Sequence, residues 1–138
     1  MAGTIVADTI QADSTSTLVL KNGVANTPPT IQDSAGTQIG TFCRAWVNFN
    51  GQGTVAIRAD FNVVDITDGG TGDYTVNIDV DMPDANYSWN INSDRQAAPI
   101  AQIASGTATP TASALRLFTY NTSLVVQDSA YVTVAIFR

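Results

Sequence analysis

Alternation of apolar residues with mostly polar ones over two stretches constrains the fold of this chain more than any other feature. Apolar side chains occupy every second position from Val55 to Val63, and again from Tyr74 to Val80. A period of two places all the apolar side chains of a strand on one face of a sheet. The two stretches are therefore predicted to be half-buried strands of an antiparallel sheet whose other face meets water.

Shorter apolar runs between turn residues predict the remaining strands. Phe42–Phe49 carries apolar residues on both faces, which indicates a central strand or one buried on both sides. A weak strand is expected at Ile100–Ile103, and strong ones at Ala114–Tyr120 and Tyr131–Phe137. No stretch shows helical periodicity. The predicted fold is all-β, an antiparallel β-sandwich of about seven or eight strands.

Residues 1–41 differ from the rest and are predicted to be an N-terminal arm, with the β-sandwich domain spanning residues 42–138. The arm has no aromatic residue, only short apolar runs at Thr4–Ile10 and Leu18–Leu20. Pro28-Pro29 favours extended backbone and removes two backbone donors. We expect the arm to fold against a partner, either a neighbouring copy or another protein assembly. The alternative is a loosely attached first part of the β-domain.

The charge of the chain excludes several classes of partner. Only 13% of the residues are charged and the net charge is −6, whereas about 25% charged residues is typical. Nucleic-acid binding needs clustered Lys and Arg, and the six basic residues are scattered. No apolar run is long enough for a membrane-spanning helix, and the first residues do not resemble a signal peptide. We therefore expect synthesis in a cytosol, no membrane insertion and no nucleic-acid partner.

The inventory of reactive side chains predicts a protein that is not an enzyme. The chain has no histidine, and all 12 acidic residues are aspartates. Histidine is the commonest general base, and glycoside hydrolysis needs two opposed carboxylates. The aspartates are interpreted as water-facing strand residues (Asp60, Asp79 and Asp81) or as residues at strand ends (Asp65, Asp68 and Asp84). No catalytic or cofactor-binding residue is assigned, and Cys43 is predicted to be a small buried core residue.

Two weaker interpretations concern ligands. Asp79, Asp81 and Asp84 are a weak candidate for a metal site, because Asp79 and Asp81 are expected on the same strand face and carboxylate oxygens suit Ca²⁺. The aromatic side chains could form a carbohydrate-stacking surface, although aromatics on apolar strand faces more often belong to the core. The aromatic residues concerned are Trp46, Tyr74, Tyr87, Trp89 and Tyr120.

Several short motifs carry a resemblance to a known family. They are RAWVNFNG at Arg44–Gly51, TVAIR at Thr54–Arg58, FNV at Phe61–Val63, ITD at Ile66–Asp68, GDYTVN at Gly72–Asn77, MPDANY at Met82–Tyr87 and the ending VTVAIFR. These motifs resemble segments of tail-fibre and small virion surface proteins of tailed bacteriophages, especially marine and cyanobacterial ones.

The resemblance implies a non-enzymatic structural protein of the virion, made in the cytoplasm of the host bacterium and assembled as a homotrimer. We expect the chain to be complete in its 138 residues, which would leave no room for a long fibre shaft. We therefore expect a surface appendage or a capsid decoration (cement) protein, bound to a major capsid or tail protein through residues 1–41. The alternative is a tail-fibre-type receptor-binding module that recognises a glycan or protein of the host cell surface through loops such as Asn92–Ala112. The resemblance does not decide whether the protein lies on the head or on the tail of the virion.

Overall fold

The computed structural model describes residues 28–94, 100–103 and 109–138, together with Leu20 and Gly23. The predicted run at Thr4–Ile10, and the run at Leu18–Leu20 apart from its last residue, lie outside the described residues. Much of the predicted loop Asn92–Ala112 does so too.

Ten β-strands and no helix occur in the described part of the chain. The strands are β1 (Ile31–Gln32), β2 (Gln38–Gly40), β3 (Cys43–Asn50), β4 (Ala56–Phe61), β5 (Val63–Gly70), β6 (Asp73–Ile78), β7 (Ser88–Ser93), β8 (Ile100–Ile103), β9 (Ala114–Tyr120) and β10 (Val132–Phe137). The described residues therefore contain no helix that could cross a membrane.

The strands form two four-stranded sheets and one small hairpin. The first sheet has the order β4-β3-β10-β7, and the second has the order β5-β6-β9-β8. Strands β1 and β2 pair only with each other. Every pairing is antiparallel. The prediction of an all-β antiparallel protein is therefore confirmed.

The core lies between the two large sheets. Alternate residues of β3 and β10 in the first sheet, and of β6 and β9 in the second, belong to one buried cluster. Phe49 of β3 and Tyr74 of β6 make an edge-to-face contact with ring centroids 5.2 Å apart, so the two sheets pack face to face. Aromatic pairs of this kind add about 0.5–1.5 kcal/mol beyond their buried area.

The alternating stretch Val55–Val63 was predicted as one strand, and that prediction is wrong. The chain leaves the first sheet after Phe61 and enters the second at Val63. Asn62 makes the change with a left-handed backbone at φ 59°. Its side-chain nitrogen donates to the carbonyl oxygens of Arg44 and Val80, each at 3.0 Å, and its side-chain oxygen accepts from the Val80 N–H at 2.7 Å.

Strand β5 was not predicted as a separate strand. Asp65 and Asp68 were predicted at strand ends, but both lie within β5. The alternation from Val55 to Val63 runs across Asn62 without interruption, so alternation alone cannot reveal the break. The hydrogen bonds of Asn62 reach residues 18 positions away in both directions, so the break depends on tertiary structure.

Strand β3 is central, as one of the two interpretations of Phe42–Phe49 predicted. Ala45, Val47 and Phe49 are buried between the sheets. Burial on both faces is not observed, since Trp46 is 39% exposed. Cys43 is half-buried rather than fully buried, because it lies at the start of the strand.

The pairing of β3 with β10 defines two ends of the molecule. Cys43 lies beside Phe137, so Arg138 and the segment entering β3 share one end, which we name the arm end. There the Thr41 hydroxyl donates to the Arg138 carbonyl oxygen at 3.1 Å. The loops that follow β3, β5 and β9 meet at the opposite end, which we name the loop end. At the loop end the Gly51 N–H donates to the Ser129 carbonyl oxygen at 2.9 Å.

Candidate functional site

The outward surface of the first sheet is rich in asparagine side chains, and we name it the amide face. Its members are the residues of β3, β4, β7 and β10 whose side chains point away from the second sheet. They are Trp46, Asn48, Ala59, Phe61, Ser88, Asn90, Asn92, Thr133, Ala135 and Phe137. None of these ten residues is charged, although the same sheet also contains Arg44 in β3 and Arg58 in β4.

Strand alternation explains how the sequence builds this face. In β10, Val132, Val134 and Ile136 are buried in the core, which forces Thr133 and Ala135 outward. The strands β3 and β7 alternate in the same way. Thr133 pairs with Asn48 on one side and with Asn92 on the other. A row of uncharged polar side chains therefore crosses three strands.

The amide face is not flat. A hollow of about 410 Å³ lies over β3, β10 and β7, lined by Trp46 and Phe137 at one end and by Asn48, Asn90 and Asn92 along its length. The Asn92 side chain donates to the Asn90 side-chain oxygen at 2.5 Å. The hollow thus presents an aromatic end and a row of ordered amides.

A second hollow adjoins the face at the arm end. Its volume is about 570 Å³, and exposed apolar side chains of Phe42, Phe61 and Val80 line it. Phe61, which is 55% exposed, pairs with Trp46 across β4 and β3. The aromatic end of the amide face therefore continues into this hollow, whose lining also includes Arg44, Asn62 and Asp79.

The nearest basic group at the loop end of the face is held by local contacts. The Arg58 guanidinium donates to the Ala130 carbonyl oxygen at 2.7 Å and to the side-chain oxygens of Asn48 and Asn50, each at 3.5 Å. It also stacks on the Tyr131 ring, 4.1 Å from the centroid. Arg58 therefore borders the amide face, and its guanidinium is held there by neutral oxygens and the Tyr131 ring.

The outward surface of the second sheet has the opposite character. Asp73 and Arg116 form a two-point ion pair, with the Nε–Oδ1 distance at 2.8 Å and the second nitrogen–oxygen distance at 2.5 Å. The hydrogen bonds to Asp73 raise the pKa of Arg116. The Asn77 side chain donates to Asp65 and to Thr67. The charges of Asp73 and Arg116 are thus paired within the chain, whereas the Asp65 carboxylate has a neutral partner.

The candidate metal ligands are not brought together. Strand β6 ends at Ile78, so Asp79 and Asp81 lie in the following loop rather than on one strand face, and that premise of the prediction is wrong. Asp84 pairs with Arg138 at 2.6 Å. The backbone N–H of Asn86, and then Arg138, lower the pKa of Asp84. In the residues that the structure describes, no group of three metal-binding side chains occurs.

The candidate stacking aromatics divide between core and surface. Tyr74 and Tyr87 are buried, and Trp89 packs edge-to-face on Tyr87 with centroids 5.9 Å apart. Burial raises the pKa of Tyr87 to about 12. Burial, and then the neighbouring Asp128 carboxylate, raise the pKa of Tyr74 well above its usual range. Of the five residues, only Trp46 is exposed enough to serve as a surface platform.

The loop end carries a second exposed apolar group that the sequence analysis did not single out. Leu124 is 66% exposed, and Val125 and Val126 follow it on the surface. Leu124 has a left-handed backbone at φ 59°. The Asn121 side chain holds the loop by accepting from the N–H groups of Ser123 and Val125 at 2.9 and 3.0 Å.

The amide face, as one continuous surface, was not predicted from the sequence. The alternation predicts Phe61 on the same buried face as Ile57. The register of β4 against β3 shifts between Ile57 and Ala59, and this shift turns Phe61 outward. The recurrence of asparagine at the outward positions of β3 and β7 was present in the sequence. Its importance depends on β10 lying between those two strands, which no local pattern specifies.

Comparison with protein-family models found no match, and neither did comparison with curated proteins or with solved structures.

Proposed function

We propose that this chain is a non-enzymatic structural protein of a bacteriophage virion, a trimeric surface appendage or capsid decoration protein. In this proposal it is a β-sandwich attached to a capsid or tail protein by residues 1–41. The observation that carries the proposal is where the virion-like motifs lie. RAWVNFNG coincides with β3, GDYTVN with β6, and VTVAIFR with β10, so the resemblance falls on the framework of the fold.

Contacts between those motifs support the same view. The β3 and β10 motifs pair along their length in the middle of the first sheet. Asp84 of MPDANY forms its ion pair with Arg138, the last residue of VTVAIFR. Motifs that contact one another in the framework are what a shared architecture requires, whereas motifs of a catalytic family converge on a site.

The use of the aspartates also favours a structural role. Asp128 accepts from the Gly72 N–H at 2.7 Å. Asp94 accepts from the Ser129 hydroxyl at 2.8 Å and from the Tyr131 N–H at 2.6 Å. Together with the ion pairs of Asp73 and Asp84, these contacts commit the carboxylates to holding strands and loops in place.

The arm end offers a means of attachment. The β1–β2 hairpin pairs with neither large sheet, and Ile31 and Ile39 are exposed on it. An isolated two-stranded hairpin is only marginally stable in water. Asp33 shapes its turn by accepting from the N–H groups of Ala35 and Thr37, each at 2.9 Å. A formed hairpin with exposed apolar side chains is well suited to pack against, or add a strand to, a particle protein.

Localisation tests this proposal. Antibodies raised against the purified chain should label purified particles of a phage that encodes it, at regular positions on the head or tail. Electron cryo-microscopy should then show density of this size at those positions. Detection only in the soluble fraction of infected cells, with purified particles free of the chain, would overturn the proposal.

A second candidate function, recognition of the host surface, is favoured by the loop end. The exposed side chains of Leu124 and Val125 lie at the end opposite the arm, where an attached protein faces outward. Purified protein should then bind host cells, and the double change Leu124→Ser with Val125→Ser should abolish binding. Val64→Ser is the matched control, because Val64 is an equally exposed aliphatic residue on the edge strand β5. Equal binding by all three proteins would rule this function out.

A further inference from the structure

We propose that the amide face is covered by other copies of this chain, so that copies meet through the outward surface of β4-β3-β10-β7. This inference rests on the proposed function in one respect only, the number of copies, which is taken as three. The identity of the covering surface follows from charge, side-chain chemistry and exposure.

The first argument is electrostatic. Each copy has a net charge of −6, so copies repel one another wherever their carboxylates approach. The amide face carries no carboxylate. The outward surface of the second sheet carries Asp65, whose hydrogen-bond partner Asn77 is neutral, and Asp73, whose charge Arg116 offsets. Within the described residues, the amide face is therefore the sheet surface on which two copies approach with the least repulsion.

The second argument is that the face is complementary to itself. Each asparagine amide offers both donors and an acceptor, and a threonine hydroxyl offers one donor and two acceptors. Asn48, Asn90, Asn92 and Thr133 can therefore pair with the same groups of another copy. Losing water costs such neutral groups far less than it costs charged ones. The ten residues of the face offer no charge to a charged partner, and the Arg58 guanidinium at its border is already engaged by neutral oxygens and the Tyr131 ring.

The third argument is the exposure of large apolar side chains at the arm end of the face. Trp46 and Phe61 are adjacent and exposed, and Phe42 and Val80 line the adjoining hollow. Soluble monomers rarely leave a contiguous apolar patch of several aromatic residues in water. Tryptophan and phenylalanine are enriched in the buried centre of interfaces. An aromatic end beside a row of amides has the composition of an interface.

Light scattering on wild-type protein at micromolar concentration is the first measurement. The expected mass is three times 14.5 kDa. A wild-type monomer would overturn this inference and the trimeric state in the proposed function, although labelling of particles would still support a structural role in the virion. A trimer that is absent from particles would agree with this inference and would overturn the proposed function. A dimer that the substitution below dissociates would support the face and contradict only the number of copies.

A matched pair of substitutions then identifies the face. Thr133→Asp places a carboxylate on the amide face in the central strand β10, and Thr75→Asp makes the same change on the outward surface of the second sheet in the central strand β6. Like charges brought together in an interface cost several kcal/mol, so Thr133→Asp should weaken association at least about 100-fold. The Thr75→Asp protein should keep the wild-type mass.

Circular dichroism must show the same β-structure in both variants. If Thr133→Asp does not fold, Asn90→Asp replaces it, because this change keeps the size of an outward side chain on the edge strand β7. A folded amide-face variant that keeps the wild-type mass would overturn the inference. So would dissociation by Thr75→Asp alone.

Discussion

The hydroxyl of Tyr74 donates a hydrogen bond to the carbonyl oxygen of Gly51 at 2.5 Å. Tyr74 belongs to the second sheet, and Gly51 follows β3 of the first, so this bond joins the two sheets at the loop end. Gly51 has to lack a side chain, because a Cβ there would lie 2.6 Å from the Tyr74 oxygen. The Asp128 carboxylate lies 3.1 Å from the same hydroxyl.

Tyr74→Phe should destabilise the protein by about 1–2 kcal/mol, because it removes the donor to a buried carbonyl oxygen while keeping the ring. Urea unfolding measures the free energy of unfolding. Tyr131→Phe is the matched control, since Tyr131 is largely exposed and its ring would still stack on Arg58. That control should change stability by less than about 0.5 kcal/mol. Equal effects of the two changes would show that the link at Gly51 contributes nothing.

Stability should fall as the pH rises above about 10, the ordinary pKa of tyrosine. Burial raises the pKa of Tyr87 to about 12 and also raises the pKa of Tyr74. Between these values the unfolded chain loses tyrosine protons that the folded chain keeps, so unfolding becomes more favourable with increasing pH. The stability that these groups contribute is present in full below about pH 10 and is lost above it.

Unfolding by urea between about pH 9 and pH 11 checks this slope. Tyr87→Phe should give a shallower fall than the wild type. The comparison uses slopes, because Tyr87→Phe also removes the hydroxyl hydrogen bonds to the carbonyl oxygens of Thr111 and Ala114. An identical slope in wild type and Tyr87→Phe would contradict the assigned origin.

The two ion pairs should differ in their effect on stability although their distances are nearly the same. In the pair Arg116–Asp73 the Asp73 side chain is 12% exposed, whereas in Arg138–Asp84 the Asp84 side chain is 39% exposed. Arg116→Met leaves a buried carboxylate without its partner and should lower the urea midpoint clearly. Arg138→Met should lower it little, because exposed pairs are screened by water and salt. A larger loss from Arg138→Met would reverse this ranking.

Local patterns predicted those parts of the fold in which the buried face of a strand is decided by its own sequence. The alternation from Tyr74 to Val80 identified β6, although the strand ends at Ile78, and the apolar runs near the end of the chain identified β9 and β10. The change of sheet at Asn62 escaped prediction, because a left-handed asparagine is stabilised by contacts with Arg44 and Val80. A single sequence does not show such distant partners.

The same limit applies to the amide face. The outward position of Asn48 follows from the alternation in β3, but its neighbour Thr133 comes from the other end of the chain. Strand order in the sheet decides whether scattered asparagines form one surface or several. Periodicity sets which side a residue faces and leaves its neighbours undetermined.

Deleting residues 1–38 should leave the β-domain folded and should detach it from the particle. The deletion removes most of the β1–β2 hairpin, which pairs with neither large sheet, while the first residue of the buried core is Ala45. Because the deleted segment supplies none of the described core residues, the melting temperature should shift by no more than a few degrees. Thr41 and its bond to Arg138 are retained.

Circular dichroism should still show a cooperative β-domain, and particles assembled with the truncated chain should lack it. An unfolded truncated chain would make the arm part of the domain and move the boundary at residue 41 toward the N-terminus. A folded truncated chain that still joins the particle would place the attachment surface on the sheets themselves.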